Sequence, residues 1–280
     1  MEKMETAVVV SNDNKNDNPY ETIDAIKKAG FQNVFIQWYD KDWKVPQEEQ
    51  LRYIREQGLN VIFAHLGYQN INNLWIEEET GMVGRYKKDL DEMKKHHILM
   101  VIMHLTSKTQ APMYGETGLK RVKEICDYAK ELGIKVAFEN TKIKGYLDYV
   151  LEHIHNDNVG ICFDAGHCHA HFEDEFNWDL FQDRIFAVHL HDNDGTEDQH
   201  LLPFDGTVPW EKDIEKLVSA NYEGYITLEI AYHRDYTKMP ITEFYEKGYA
   251  LAEELREMFE KQRDLTKKEY RKTREIKREK

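Results

Sequence analysis

A short phrase recurs along the chain: a polar helical stretch closes on glycine, then come an apolar residue, one or two polar residues and a run opened by valine. It reads Lys28-Ala29-Gly30-Phe31-Gln32-Asn33-Val34, then Glu56-Gln57-Gly58-Leu59-Asn60-Val61, then Glu131-Leu132-Gly133-Ile134-Lys135-Val136. Glycine at this position suits the left-handed residue that ends a helix, and the apolar run behind it suits a strand buried on both faces. The repeated unit is therefore helix, glycine cap, parallel strand.

Strand candidates fall at 6–11, 33–39, 60–66, 99–105, 135–139, 159–164, 185–191 and 225–230. Eight alternations in 280 residues, about 35 residues each, predict an α/β chain folded as one (β/α)8 TIM barrel. An open doubly wound sheet usually has a glycine-rich phosphate turn after its first strand, and here that turn reads Ser11-Asn12-Asp13-Asn14-Lys15. Helical spacing is clearest at 21–29, 46–57, 83–96, 117–132, 144–154, 210–220 and 241–262, while the His-rich, acidic stretch 168–180 reads as a long loop. The expected organisation is a barrel over 1–262 and a charged C-terminal helical extension or tail over 263–280.

The formal charge of -14 is unevenly spread: residues 261–280 carry ten Lys or Arg against four Asp or Glu, which leaves -20 on the preceding 260. An acidic body of that kind disfavours nucleic acid as a partner, because such binding rests on phosphate neutralisation. Cys126, Cys162 and Cys168 match no disulfide framework or zinc module, and no stretch approaches about 18 apolar residues. Together with an opening that lacks a signal-peptide pattern, this predicts a soluble cytoplasmic protein without a membrane partner.

Barrel enzymes work at the carboxyl ends of their strands. In order, the polar residues there are His65, His104, Glu139, Asp164 with His167, His189 with His191, and Glu229. Gathering several carboxylates at one barrel mouth is costly unless a cation neutralises them. Three carboxylates and one imidazole suit Mn2+, Mg2+ or Co2+, while further histidines favour Zn2+. His189 and His191 share one face of their strand, so the seventh-strand ligand is ambiguous by two residues.

The segments Phe138-Glu139-Asn140, Asp164-Ala165-Gly166-His167, His189-Leu190-His191-Asp192, Asp198-Gln199-His200-Leu201-Leu202-Pro203-Phe204-Asp205-Gly206 and Leu228-Glu229 resemble the xylose isomerase-like TIM-barrel superfamily. This group includes sugar phosphate isomerases and epimerases and the AP endonuclease family 2, and the likeness spans residues 6–260. It implies that Glu139, Asp164, His189 and Glu229 hold one divalent metal, with His167 touching substrate oxygens, and that the chain forms a homo-oligomer. His189 is the preferred seventh-strand ligand because it fits a His-x-x-Asp arrangement. The same segments also resemble endonuclease IV, a three-metal DNA-repair enzyme. That likeness implies additional metal or substrate roles for His65, His104, His191, Asp198 and His200. Two departures stand out: Phe204 occupies a position where relatives commonly have glycine, and no Arg follows closely behind His191 as it does in the ketose 3-epimerases.

The expected activity is that of a metal-dependent sugar or sugar phosphate isomerase or epimerase, acting on a small carbohydrate through proton transfer next to a carbonyl and a metal-stabilised enediolate. Glu139 and Glu229 are the candidate proton-transfer pair, and His167 the residue that orients a substrate hydroxyl. Trp38, Tyr68, Trp178 and Phe204 are candidate pocket walls, and Lys142, Lys144, His233 and Arg234 follow ligand-bearing strands where a phosphate would sit. Two rival activities are a multinuclear zinc phosphodiesterase on phosphate esters or DNA and a non-catalytic sugar-binding barrel. None of the four core ligands is missing, as the last would lead one to expect.

Overall fold

Eight strands form where the repeat predicts them: β1 (Thr6–Val10), β2 (Asn33–Trp38), β3 (Asn60–Leu66), β4 (Met100–Met103), β5 (Lys135–Glu139), β6 (Val159–Asp164), β7 (Ile185–His189) and β8 (Ile226–Leu228). They pair in parallel in the order β7-β6-β5-β4-β3-β2-β1-β8. The ring is joined between its ends where Leu190 N donates to Thr227 O at 2.9 Å and Glu229 N donates to Leu190 O at 3.1 Å. This computed structural model describes residues 3–11, 18–39, 44–107, 110–172, 176–232 and 236–278, with side chains for all of these but 172 and 269–278. The turn at 12–17 and the candidate phosphate residues His233 and Arg234 lie outside the described residues.

Helices alternate with the strands: α1 (Pro19–Ala29), α2 (Gln47–Glu56), α3 (Gly81–Lys95), α4 (Glu116–Leu132), α5 (Tyr146–His153), α6 (Ala165–His167), α7 (Trp178–Phe181), α8 (Trp210–Ser219) and α9 (Ile241–Arg278). The glycines of the recurring phrase behave as their chemistry demands. Gly30 and Gly133 end α1 and α4 at φ 115° and 72°, and Gly58 follows α2 at φ 69°.

The strand pleat divides the core in two. Val9, Phe35, Phe63, Ile102, Ala137, Cys162 and Ala187 point inward and fill the barrel, one from each of β1 to β7. Their neighbours Val8, Val34, Ala64, Val101, Val136, Ile161 and Val188 belong to the larger cluster shared with the helices. Moving two residues on from the interior layer keeps the same side of the sheet, so Phe63 leads to His65, Ile102 to His104, Ala137 to Glu139, Cys162 to Asp164 and Ala187 to His189. These five expected strand-end residues therefore share the side of the sheet that faces the barrel's apolar filling.

The same parity corrects one expected pocket wall. Trp38 shares the outward parity of Val34 and Ile36, and it packs into the helix-facing cluster, with its ring 5.8 Å from that of His96. A second correction concerns 168–180, which is not one long loop. Asp164 Oδ1 accepts a hydrogen bond from His167 N at 2.6 Å and caps a helical turn that runs on as a wide π turn over Cys168–Phe172. Trp178–Phe181 then forms α7, capped by the Asn177 side chain. Beyond 262, α9 continues without a break to Arg278.

Gly118 on α4 meets the Trp75 indole so closely that an added Cβ would run into the ring, and Trp75 Nε1 donates to Leu105 O at 2.7 Å just beyond β4. Gly118→Ala should therefore lower unfolding stability by about 1–3 kcal/mol through overpacking, read from the midpoint of denaturant unfolding.

Candidate metal centre

β5, β6, β7 and the residue after β8 bring Glu139, Asp164, His189 and Glu229 together, with donor atoms all within 4.8 Å of one another. His189 Nδ1 lies 2.9 Å from Glu139 Oε1, 3.2 Å from Glu229 Oε2 and 3.9 Å from Asp164 Oδ2. All four are buried, and the ring of His189 stacks on Phe35 with centroids 4.8 Å apart. The floor of the cluster is thus the apolar barrel filling, which forces its charges to be balanced from the mouth side.

Glu139 faces two groups at once. Its Oε1 meets His189, while its Oε2 lies 3.0 Å from His65 Nε2 and 2.8 Å from His104 Nε2. These two ring nitrogens are themselves 3.2 Å apart. A third group forms beside the first: His167 Nε2 is 3.2 Å from Asp198 Oδ2, and His200 Nε2 is 3.2 Å from Asp198 Oδ1. His191 stacks on His200 at 4.1 Å and places Nε2 3.1 Å from Asp164 Oδ1. His189 lies inside the four-residue group and His191 between Asp164 and Asp198.

Three of the histidines are fixed by the backbone. His65 Nδ1 donates to Leu66 O at 3.1 Å, His167 Nδ1 to Asn140 O at 3.0 Å and His200 Nδ1 to Glu229 O at 2.7 Å. A carbonyl only accepts, so each ring carries a proton on Nδ1 and turns its Nε2 into the cluster, the arrangement that orients metal-bound imidazoles. Among the described residues, Asp164 Oδ2 and both ring nitrogens of His191 have no hydrogen-bond partner. Carboxylate oxygens and oriented imidazole nitrogens around buried orphan atoms form a donor set that fits a divalent cation.

The electrostatics agree. Burial pushes Glu139 up, but the imidazoles of His189 and His104 outweigh it and hold the carboxyl well below its usual range. Glu229 is likewise raised by burial and lowered further by His189, to about 2. Asp198 is driven far down by His200 and His167 against its burial. Burial disfavours charge on His200 and His167, yet Asp198 lifts the first to about 10, and Asp164 and Asp198 lift the second well above its usual value. In the protein alone, imidazolium charge stands where cation charge would.

The expected aromatic walls divide. Tyr68 stacks on His104 with centroids 4.4 Å apart and rings within 9°, so it borders the cluster. Phe204 sits at φ 70°, a left-handed conformation that favours glycine, with its ring 5.9 Å from Trp210. Trp178 packs on Phe163 and Phe176, outside the barrel.

Two neighbouring residues, Asn140 and Asp192, hold the candidate ligands in place. Asn140 Nδ2 donates to Asp164 O and Asn140 Oδ1 accepts from Asp164 N, both at 2.8 Å, continuing the β5–β6 ladder with a side chain. Asp192 accepts from Asn193 N, Phe204 N, Val208 N and Trp210 Nε1, at 2.8–3.0 Å, and so shapes the loop that carries Asp198 and His200. The only signal was their place beside the ligands, as Glu139-Asn140 and His191-Asp192. Asn140→Ala should release Asp164 and weaken divalent-metal affinity about 10- to 100-fold, measured by competition with a chromophoric chelator, while far-UV circular dichroism stays unchanged.

Comparison with known proteins follows this geometry. The curated relatives are matched over about half their length or less. The chain spans 35% of an uncharacterised protein of Sinorhizobium fredii, at 32% identity over 39% of this chain. It spans 54% of the fructoselysine 3-epimerase of Escherichia coli O157:H7, at 22% identity over 50% of this chain. Among solved structures, D-psicose 3-epimerase from Clostridium cellulolyticum H10 superposes with a TM-score of 0.73 at 15% identity, covering 91% of this chain and 99% of that one. A protein solved with a bound zinc atom, named IOLI, gives the same TM-score, identity and coverage. At these identities the structural likeness is one of fold. The family described as xylose isomerase-like TIM barrel matches residues 23–262, and the chain belongs to that family.

Proposed function

We propose that this protein is a divalent-metal-dependent isomerase or epimerase of a small sugar, with Glu139, Asp164, His189 and Glu229 as the ligands of the essential ion. The observation that carries the reading is the convergence of these four buried side chains, three carboxylates and one imidazole, within 4.8 Å. The family membership and the sugar 3-epimerases among its structural neighbours support it. When bound, the ion supplies Lewis-acid polarisation of adjacent carbonyl and hydroxyl oxygens.

The protein's own residues divide the proton work. Glu139 and Glu229 come from strands three places apart round the barrel, and both reach the same point beside His189. One carboxylate takes the proton from the carbon next to the carbonyl, and the other returns a proton to the substrate. His167 is held by Asn140 O and turns its Nε2, 3.2 Å from Asp198 Oδ2, toward the mouth, where it orients a substrate hydroxyl. Tyr68 forms one wall of the mouth and limits water there.

Incubation with ketohexoses in deuterated water tests this directly, since proton abstraction exchanges a carbon-bound hydrogen that NMR detects. Wild type should incorporate deuterium and yield the isomeric sugar, and Glu139→Gln and Glu229→Gln should each lower the rate by a factor of about 1,000 or more. Full activity in both variants would sink the two-carboxylate scheme.

A second reading, a multinuclear phosphodiesterase, is favoured by one observation: Glu139 divides its oxygens between two clusters, with Asp198 and His200 forming part of another. The acidic body, -20 over residues 1–260, weighs against DNA as its substrate. Metal analysis of purified protein separates the two. One tightly held ion per chain is expected for the isomerase; two or three zinc ions together with cleavage of bis(p-nitrophenyl) phosphate would reverse the ranking.

A further inference from the structure

The histidines of the mouth differ in the nitrogen they turn toward it. His65, His167 and His200 rest Nδ1 on a backbone carbonyl, whereas His189 turns Nδ1 itself to Glu139 and Glu229, at 2.9 and 3.2 Å. Its Nε2 is therefore left to find a partner elsewhere. The side chain is fully buried, and no oxygen or nitrogen of the described residues bonds to that atom.

The inward residues of the eight strands leave little choice. Val9, Phe35, Phe63, Ile102, Ala137 and Ala187 have hydrocarbon side chains. Thr227 pairs with Ala7, two residues before Val9, and so faces inward too, but its hydroxyl donates to Tyr225 O at 3.2 Å. Among these residues Cys162 alone has a heteroatom to spare. It pairs with Ala187, two residues before His189 on the neighbouring strand, and its thiol is hydrogen-bonded to the His189 side chain.

Stacking on Phe35, at 4.8 Å and 13°, fixes the plane of the His189 ring but not the place of its proton. In the protein alone Nδ1–H donates to Glu139 Oε1, since a carboxylate only accepts, and an ion bound at Nδ1 takes the place of that proton. The neutral ring then carries its one proton on Nε2. An N–H without an acceptor in this apolar layer would oppose metal binding, and sulfur is an acceptor, though a weak one.

We propose that Cys162 is a positioning residue of the metal centre: its sulfur accepts the Nε2 proton of His189 and holds the imidazole in the tautomer that leaves Nδ1 to the ion. The inference rests on the reading of His189 as a ligand of that ion. Carboxylates behind metal-bound imidazoles raise their basicity. A thiol holds the ring without that push, which leaves the ion more of its Lewis acidity for the substrate.

Zinc affinity of the full chain, measured by competition with a chromophoric chelator, tests the proposal. Cys162→Val keeps the bulk but offers no acceptor, and should bind zinc about 10- to 100-fold more weakly than wild type. Cys162→Ser, whose hydroxyl accepts, should return to within about threefold of wild type. A residue that merely fills the barrel would give the reverse order, because valine suits an apolar layer and serine does not. A second measurement needs only the wild type. With isotope-labelled histidine nitrogens, NMR of the zinc-loaded protein should show the His189 proton on Nε2 and none on Nδ1. Valine binding as tightly as cysteine, serine binding no better than valine, or a zinc-loaded His189 protonated at Nδ1 would each overturn the proposal. A wild type that binds no divalent ion would overturn the metal reading and this proposal with it. Loss of sugar turnover with zinc affinity intact bears on the proposed reaction alone.

Discussion

The pleat of a parallel strand sends alternate side chains to opposite faces, and closing eight such strands into a ring aims one of those faces at a common axis. That constraint organises the whole carboxyl end of this barrel. Phe63, Ile102, Ala137, Cys162 and Ala187 fill the interior, and the residues two positions further on, His65, His104, Glu139, Asp164 and His189, have nowhere to go except the mouth above them. Glu139 and Glu229, 90 positions apart in sequence, meet without any long loop having to bring them there.

The mouth so formed is electrostatically demanding. Glu139, Asp164 and Glu229 are buried over an aromatic floor, and Asp198 leans in from a loop. Burial alone would protonate the carboxyls, but the imidazoles around them reverse that for Glu139 and Glu229. Glu139 is central because its two oxygens serve different sets of histidines. Removing its charge would alter more than one group of donors, whereas Asp198 and His200 depend on a loop that Asp192 holds in shape.

Conformational strain is also concentrated here. Phe204 and His200 adopt left-handed backbone conformations at φ 70° and 49°, which cost an ordinary residue about 1–2 kcal/mol. Both lie in the stretch whose backbone Asp192 gathers, and the four hydrogen bonds to that carboxylate offset the strain. The wide turn after Asp164 belongs to the same pattern, since irregular helical turns of this kind are found where side chains must be aimed at a site.

The sequence alone determined the barrel and the set of residues at its mouth. Glycine caps such as Gly30, Gly58 and Gly133, apolar strands between them and polar strand ends are local signals, each readable within a few residues. Tertiary structure decided what depends on direction and on partners. It turned Trp38 outward, because one step along a pleat changes face, and it set His189 and His191 in different groups although they share a face. It made Asn140 and Asp192 the residues that hold the candidate ligands, through hydrogen bonds to backbone that only the folded chain brings near.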